Sequence, residues 1–486
     1  MPVVRLGIFS SLSVKTSATK QAVSTWPAAA LVVSNMIGTG VFMSLGWQVA
    51  GFTRPDGSSL LSGSVFPIIM LWVVGGILAL CGALCYAELA TALPRSGGEY
   101  TFLSRIYHPM VGFCTGLCSA SVGFAAPIAA SALVFGDYFC RAFPEVAHLI
   151  PNNTAHAFAL TLVVIATLCH LRSVRFTGVF QAAITSTTVL LILAFVVFGF
   201  SKAPVQTVSF VPHATDFNLP VLSAFWASLI WVMYSYSGWN AAAYIVGEVR
   251  NPAKALPRAL ILGTIFVIFL YVAVNAVFLY STPLGQFLHT TPKGEILGQP
   301  EVAHIAGTSI FGPIGARIAS GLICVGLIAN VSGMMWVGSR VTEAIGMTYP
   351  TLGLLGRTSK TRIPYVALIY QFVIVFALLF MRPDDIVNYV GSVLLFWSLL
   401  AVIGVIVLRF REPNLARPYR TWGYPVTPII FALITIFCLV QNARFYPLQT
   451  LISAATVLIG IPIYLWISRN VPVEQLRGET LPESSM

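Results

Sequence analysis

The sequence predicts an all-α integral membrane protein with about twelve transmembrane helices. Three observations predict it. First, the 486 residues are 57% hydrophobic and only 9% charged, whereas roughly a quarter of residues are charged in a soluble domain. That much apolar surface needs lipid as a solvent. Second, apolar runs of about 20 residues recur along the whole chain, each long enough to cross a bilayer. Third, the 27 Lys and Arg residues sit in short loops between those runs, unequally divided between the two sides.

The first five spans are expected at about 26–47, 65–92, 109–139, 156–171 and 179–200. The next five fall at about 219–247, 257–281, 313–338, 364–381 and 386–408, and two more at about 424–441 and 451–468. Alternating the loops between sides puts 20 basic residues on one side and 7 on the other. The positive-inside rule then places both termini in the cytoplasm of a multi-pass protein of the cell (inner) membrane. The net charge of +11 thus reflects topology and does not point to nucleic acid. Residues 1–25 carry Arg5, Lys15 and Lys20 without an acid and lack a cleavable apolar leader. They read as a cytoplasmic tail in preference to a transit peptide. Residues 469–486 form the second tail.

The eight cysteines lie almost entirely inside apolar runs, as small packing residues, with no disulfide framework or metal-ligand spacing. No acid occupies the centre of a run: Glu88, Asp137, Glu248 and Glu343 lie toward span ends. That disfavours a proton pump or voltage sensor and suits a carrier whose cargo brings its own charge. An enzyme is not expected. It would need a charged or metal-binding constellation at depth, and no His-Glu-x-x-His occurs among the seven scattered histidines. A channel would not need the feature described next.

Two spans carry small and polar residues at mid-membrane. Span 1 contains Ile37-Gly38-Thr39-Gly40, and span 6 contains Tyr234-Ser235-Tyr236-Ser237-Gly238-Trp239-Asn240. Interrupted segments at matching places in two halves are the sequence sign of an inverted-repeat transporter with its site at the repeat interface. Where a helix unwinds, freed N–H groups and the positive end of the next half-helix suit a carboxylate. The carbonyls that end the preceding half-helix suit an ammonium group. An amino acid brings both charges. Gly38 and Gly40 would let it approach the backbone, and Tyr234 would act as a gate. Close helix packing by the span 1 glycines and interfacial placement of the span 6 aromatics are the competing readings.

Four stretches together resemble the amino acid–polyamine–organocation superfamily, in its L-amino-acid transporter and bacterial amino acid permease branches. They are Ile37-Gly38-Thr39-Gly40-Val41-Phe42; Tyr86-Ala87-Glu88-Leu89 with Pro94-Arg95-Ser96-Gly97-Gly98-Glu99-Tyr100; Ser237-Gly238-Trp239-Asn240 with Gly247-Glu248-Val249-Arg250-Asn251-Pro252; and Arg417-Pro418-Tyr419-Arg420-Thr421-Trp422-Gly423-Tyr424-Pro425. The resemblance covers about Trp26 to Arg469. It implies five plus five inverted repeats over 26–200 and 219–408, with two further helices over 424–468. It also implies secondary transport of L-amino acids by alternating access, with an amine or polyamine antiporter as the alternative cargo class. By position, Gly38, Thr39 and Gly40 would hold the substrate carboxylate, and carbonyls near Ile37 and Tyr234 the ammonium. Ser235, Ser237 and Gly238 would complete the site, and Asn240 would brace the unwound backbone.

The sequence departs from the resemblance in three places. Many relatives carry a lysine in span 5, where Thr188 aligns here. Thr188 is either an ion ligand or a hydroxyl bonded back to its own helix. The loop after span 8 keeps Ser339-Arg340 but lacks the usual Arg-acid-Gly core. Cys140 lies near the region where some relatives pair with a glycoprotein, without matching it, so no obligate heavy-chain partner is expected. Glu88 and Glu248 are expected in ion pairs that hold an inner gate, near basic loops containing Arg95 and Arg250. No cofactor is expected, and transport is expected either as exchange or as symport coupled to Na+ or H+. The predicted pocket holds neither an acid nor a central Arg or Lys, which points to a neutral side chain on the substrate.

Overall fold

The computed structural model describes residues 23–469, apart from 148–149, 151–152, 203–205, 293, 382 and 446, together with 471, 472 and 476. Nearly all of both expected tails lies outside the described residues. The chain begins with α1 (Thr25–Met36), α2 (Thr39–Gly51), α3 (Phe66–Ala92), α4 (Glu99–Ile106), α5 (Pro109–Cys118) and α6 (Ala125–Ala142). Next come α7 (Thr154–His170), α8 (Val174–Lys202), α9 (Leu219–Ser235) and α10 (Pro252–Ser281). A short antiparallel hairpin, β1 (Leu288–Thr290) and β2 (Ile296–Gly298), leads into α11 (Val302–Thr348), α12 (Tyr365–Leu378), α13 (Pro383–Arg411), α14 (Val426–Phe445) and α15 (Pro447–Ile467).

Nine helical segments among the described residues are long and apolar enough to cross a membrane, and three shorter apolar helices, α7, α9 and α12, fall at the remaining expected spans. Hydropathy therefore located the segments well. It did not show how they bend. Span 3 is α5 and α6 joined by a π-helical turn at Ser119–Gly123. α11 kinks at Gly312, whose φ is 69°, so a helical stretch before Pro313 precedes the expected span 8. Span 6 stops being α-helical at Ser235, and its expected second half is two 3-10 turns, Ala241–Tyr244 and Val246–Glu248. The β1–β2 hairpin had no sequence signal strong enough to show. Its second strand packs on α2, where a Cβ on Gly298 would meet the Gly46 carbonyl at 2.3 Å.

Ion pairs gather the basic loops at one end of the bundle. Glu88 accepts two bonds from Arg409, at 2.9 and 2.6 Å, and one from the Thr421 amide at 2.6 Å, with Arg417 at 3.4 Å. Glu248 is paired with Arg340 and accepts a bond from Trp336 Nε1 at 3.1 Å. Sequence proximity pointed to Arg95 and Arg250. The partners seen come instead from α13, the loop after it, and α11, because helix packing and not chain order sets which ends meet. Val23 at the start of the described chain joins the same end, donating to the Glu248 carbonyl at 2.9 Å.

The Glu88 side chain is 2% exposed, whereas Glu145, paired with Arg317 at the other end, is 66% exposed. Breaking a buried pair strands a charge, and breaking an exposed one does not. Glu88→Ala is therefore expected to cost about 3 kcal/mol of stability, seen as a lowered melting temperature in detergent. Glu145→Ala is expected to leave the melt unchanged.

Candidate functional site

The break in span 1 is two residues long. α1 ends at Met36, Ile37 and Gly38 are non-helical, and α2 starts at Thr39. The first N–H groups of α2, at Thr39, Gly40 and Val41, have no i−4 partner and no other hydrogen-bond partner among the described residues. The carbonyls that end α1 are capped by side chains. Asn330 Nδ2, from α11, donates to the Ser34 and Asn35 carbonyls at 3.0 and 3.2 Å, and its Oδ1 accepts from Ser131 of α6 at 3.0 Å. The buried Tyr271 hydroxyl, from α10, donates to the Met36 carbonyl and lies 3.2 Å from the Ser235 carbonyl at the end of α9. One phenol thus bridges both breaks.

The two breaks touch directly. A Cβ on Gly40 would meet the Ser235 Cα at 2.7 Å. Gly238, at φ 102°, would place a Cβ 2.5 Å from the Asn35 carbonyl, so both conformation and contact demand glycine there. Gly38 differs: its Cβ would meet only the Asn330 side chain, at 3.1 Å. The glycines of span 1 thus divide their roles between packing at Gly40 and access at Gly38. The packing reading is realised at Gly40, and both glycines line the cavity between the breaks.

A cavity of about 120 Å³ opens between the breaks. Of the residues expected there, Gly38, Thr39, Gly40, Tyr234, Ser235, Ser237, Gly238 and Asn240 line it. Ile37 does not. It is 1% exposed and its side chain faces Gly326 of α11. Thr188, Glu88 and Glu248 also lie away from the lining. The buried Thr188 donates to the Ile184 carbonyl of its own helix at 3.0 Å. The α8 side chain that reaches both α1 and α11 is Gln181, whose Nε2 donates to Ser34 Oγ at 2.7 Å and to the Ala329 carbonyl at 3.0 Å, while its Oε1 accepts from Ser332 at 2.8 Å.

Several lining residues carried no sequence signal as site residues. Ser119, Gly123 and Phe124 reach the cavity through the π turn, a common device at functional sites, and Asn330, Ser392 and Asn442 arrive from later helices. Glu99 overturns the expectation of a pocket without an acid. It is the first residue of α4, which turns inward so that the carboxyl lines the cavity and is 4% exposed. Tyr86 and Asn240 donate to its Oε1 at 2.5 and 2.9 Å, and Tyr244 to its Oε2. Burial raises the Glu99 carboxyl above its usual range, against the opposing effect of these donors. Asn240, expected to brace backbone, holds this carboxylate instead.

The family model described as amino acid permease matches residues 23–467. The chain belongs to the amino acid permease family. The permease is 26% identical over 450 residues to the serine/threonine exchanger of Bacillus subtilis (strain 168), covering 91% of this chain and 96% of that one. It is 27% identical over 461 residues to the human large neutral amino acids transporter small subunit 2, covering 92% and 80%. It is also 26% identical over 462 residues to the mouse b(0,+)-type amino acid transporter 1, covering 93% and 89%. The paired breaks and the matched family thus agree on a membrane carrier for amino acids.

The two span 1 glycines of the permease are separable by experiment. Gly40→Ala drives a methyl into α9 backbone and is expected to lower stability by about 1–3 kcal/mol. Gly38→Ala, facing a side chain that can give, is expected to stay within about 0.5 kcal/mol. Thermal melts of the purified variants check both.

Proposed function

We propose that the permease moves neutral L-amino acids across the cell membrane by alternating access, binding each between the two helix breaks. The observation that carries this reading is the set of unpartnered amides at the start of α2, where Thr39 and Gly40 line a cavity beside the end of α9. The substrate carboxylate meets those amides and the positive end of α2. The ammonium group meets carbonyl oxygens at the ends of α1 and α9. Phe124, Pro127, Met334 and Leu395 supply apolar walls for the side chain. Glu99 does not make the pocket select a cationic side chain, because three protein donors already occupy its oxygens.

The architecture we assign is five plus five inverted repeats over 26–200 and 219–408, with α14 and α15 appended and both termini cytoplasmic. The 20 to 7 division of basic residues supports that orientation. The ion-paired end of the bundle is then the inner end, with Glu88 and Glu248 holding it closed and Tyr234 gating the cavity. No chemistry is performed on the cargo. One relative is named a small subunit. For this chain we propose function without an obligate heavy chain, since Cys140 lies within α6 and not in a loop.

Uptake of labelled amino acids into proteoliposomes, with and without internal amino acid, sodium and a pH gradient, tests the reading. Transport of neutral amino acids is expected, and no transport of any amino acid would sink it. Dependence on internal substrate alone makes the permease an exchanger, and dependence on a gradient makes it a symporter. Gly38→Leu, which fills the access side of the break, is expected to abolish ligand-induced thermal stabilisation while the protein still folds. Unchanged ligand affinity would place the site elsewhere.

A further inference from the structure

Among the described residues Glu99 is the one cavity-lining carboxylate, and no Arg, Lys or His pairs with it. A buried anion is normally neutralised by a counter-charge or by a proton. Each neighbouring group can be accounted for. The titratable groups facing the carboxyl are phenols, Tyr86 from α3 and Tyr244 from the first 3-10 turn after the span 6 break. From α13, Ser398 lines the same cavity and brings no charge. The cations of adjoining helices are engaged elsewhere, Arg409 by Glu88, Arg340 by Glu248 and Arg105 by Glu412.

The bonds to Glu99 join three parts of the molecule. They tie α4 to α3 and to the unwound stretch holding Asn240 and Tyr244, two of the residues that line the cavity. A second set of contacts runs alongside. The Gly97 amide donates to the Tyr244 carbonyl at 3.1 Å, Ser96 Oγ accepts from the Gly247 amide at 2.9 Å, and the Tyr244 ring lies against Gly98. α4 and its preceding loop therefore close one end of the cavity, and Glu99 is the point where that closure meets the site.

We propose that Glu99 binds a proton during transport and that its protonation releases this closure. The proposal rests on the amino acid transport reading above and adds the coupled ion. As a carboxylate, Glu99 accepts from three donors at once. When it takes a proton from bulk water, one oxygen becomes an O–H donor. The Tyr244 hydroxyl must then reverse and accept, so a charge-assisted bond becomes a weaker neutral one and the tie between α4 and the unwound stretch weakens. Release of the proton to water on the opposite side restores the three bonds. The sign follows from burial: the folded protein favours the protonated acid more than an exposed carboxyl does. Protonation is therefore reached at a higher pH than the ordinary carboxylate range, and transport slows as pH rises through that value.

The test reconstitutes the full-length protein into liposomes containing a pH-sensitive dye and adds external L-serine with a radioactive tracer. The expected result for the wild type is serine-driven acidification of the lumen, with serine transport falling as pH rises. Glu99→Gln is expected to cut protons moved per serine at least tenfold, whatever its serine rate, and to flatten the pH profile. Tyr244→Phe keeps the carboxyl but removes one donor to the anion, so its pH profile is expected to shift to higher pH. That variant carries the test if Glu99→Gln does not fold. Serine transport without a proton signal, an unchanged proton ratio in Glu99→Gln, or an unshifted profile in Tyr244→Phe would overturn the proton site. Failure to transport any amino acid would overturn the underlying transport reading instead.

Discussion

The structure depends on one constraint: a helix broken inside a membrane must have its freed backbone groups satisfied by protein or by a cavity. Both breaks meet that demand through each other. Asn330 caps two carbonyls of α1, and Tyr271 spans the end of α1 and the end of α9. Each unpaired group in lipid would cost several kcal/mol, so neither break is tolerable alone. The polar residues that cap them come from α10 and α11, with Ser131 of α6 holding Asn330 in place, which fixes how those helices pack around α1.

The capping is lopsided, and the function follows from that. Protein side chains hold the carbonyls that end α1, while the opening amides of α2 are unpartnered and Thr39 and Gly40 line the cavity. The free valence is therefore positive, suited to a carboxylate. The aromatic cluster behind the break keeps this arrangement rigid. Tyr271 packs against Trp72 and Tyr236, with ring centroids 5.4 and 4.9 Å apart, and Tyr236 donates to the Trp72 carbonyl at 2.9 Å. Trp72 in turn reaches Gln48 of α2 through its indole N–H at 3.1 Å. Backbone dipoles held by buried aromatics thus give the cavity a fixed field, with the Glu99 carboxyl as the one acid in its lining among the described residues.

The buried pair at Glu88 lies at one end and is organised by the signature loops. Thr421 and Arg417, from the loop after α13, converge on Glu88 of α3. The loop before α4 places Glu99 on the cavity and its glycines against Tyr244. Motifs hundreds of residues apart thus serve one closure. This explains why they are polar and glycine-rich at the edge of an otherwise apolar chain.

Membrane character, the positions of the apolar segments and both helix breaks were legible in the sequence, because each depends on local composition. Lipid imposes a length on every span, and glycine and serine at mid-span have few other uses. Eight of the nine residues expected around the substrate line the cavity for the same reason: they belong to the breaks themselves. Tertiary structure alone decided what lies opposite them. Ile37 turns toward α11, Thr188 bonds its own helix while Gln181 makes the cross-helix bridge, and Glu99 leaves a loop signature to become a cavity carboxylate. These outcomes depend on helix rotation and on which ends meet across the bundle. A hydropathy pattern carries the length of a span but not its azimuth, so the partner of each polar side chain is settled only when the helices pack.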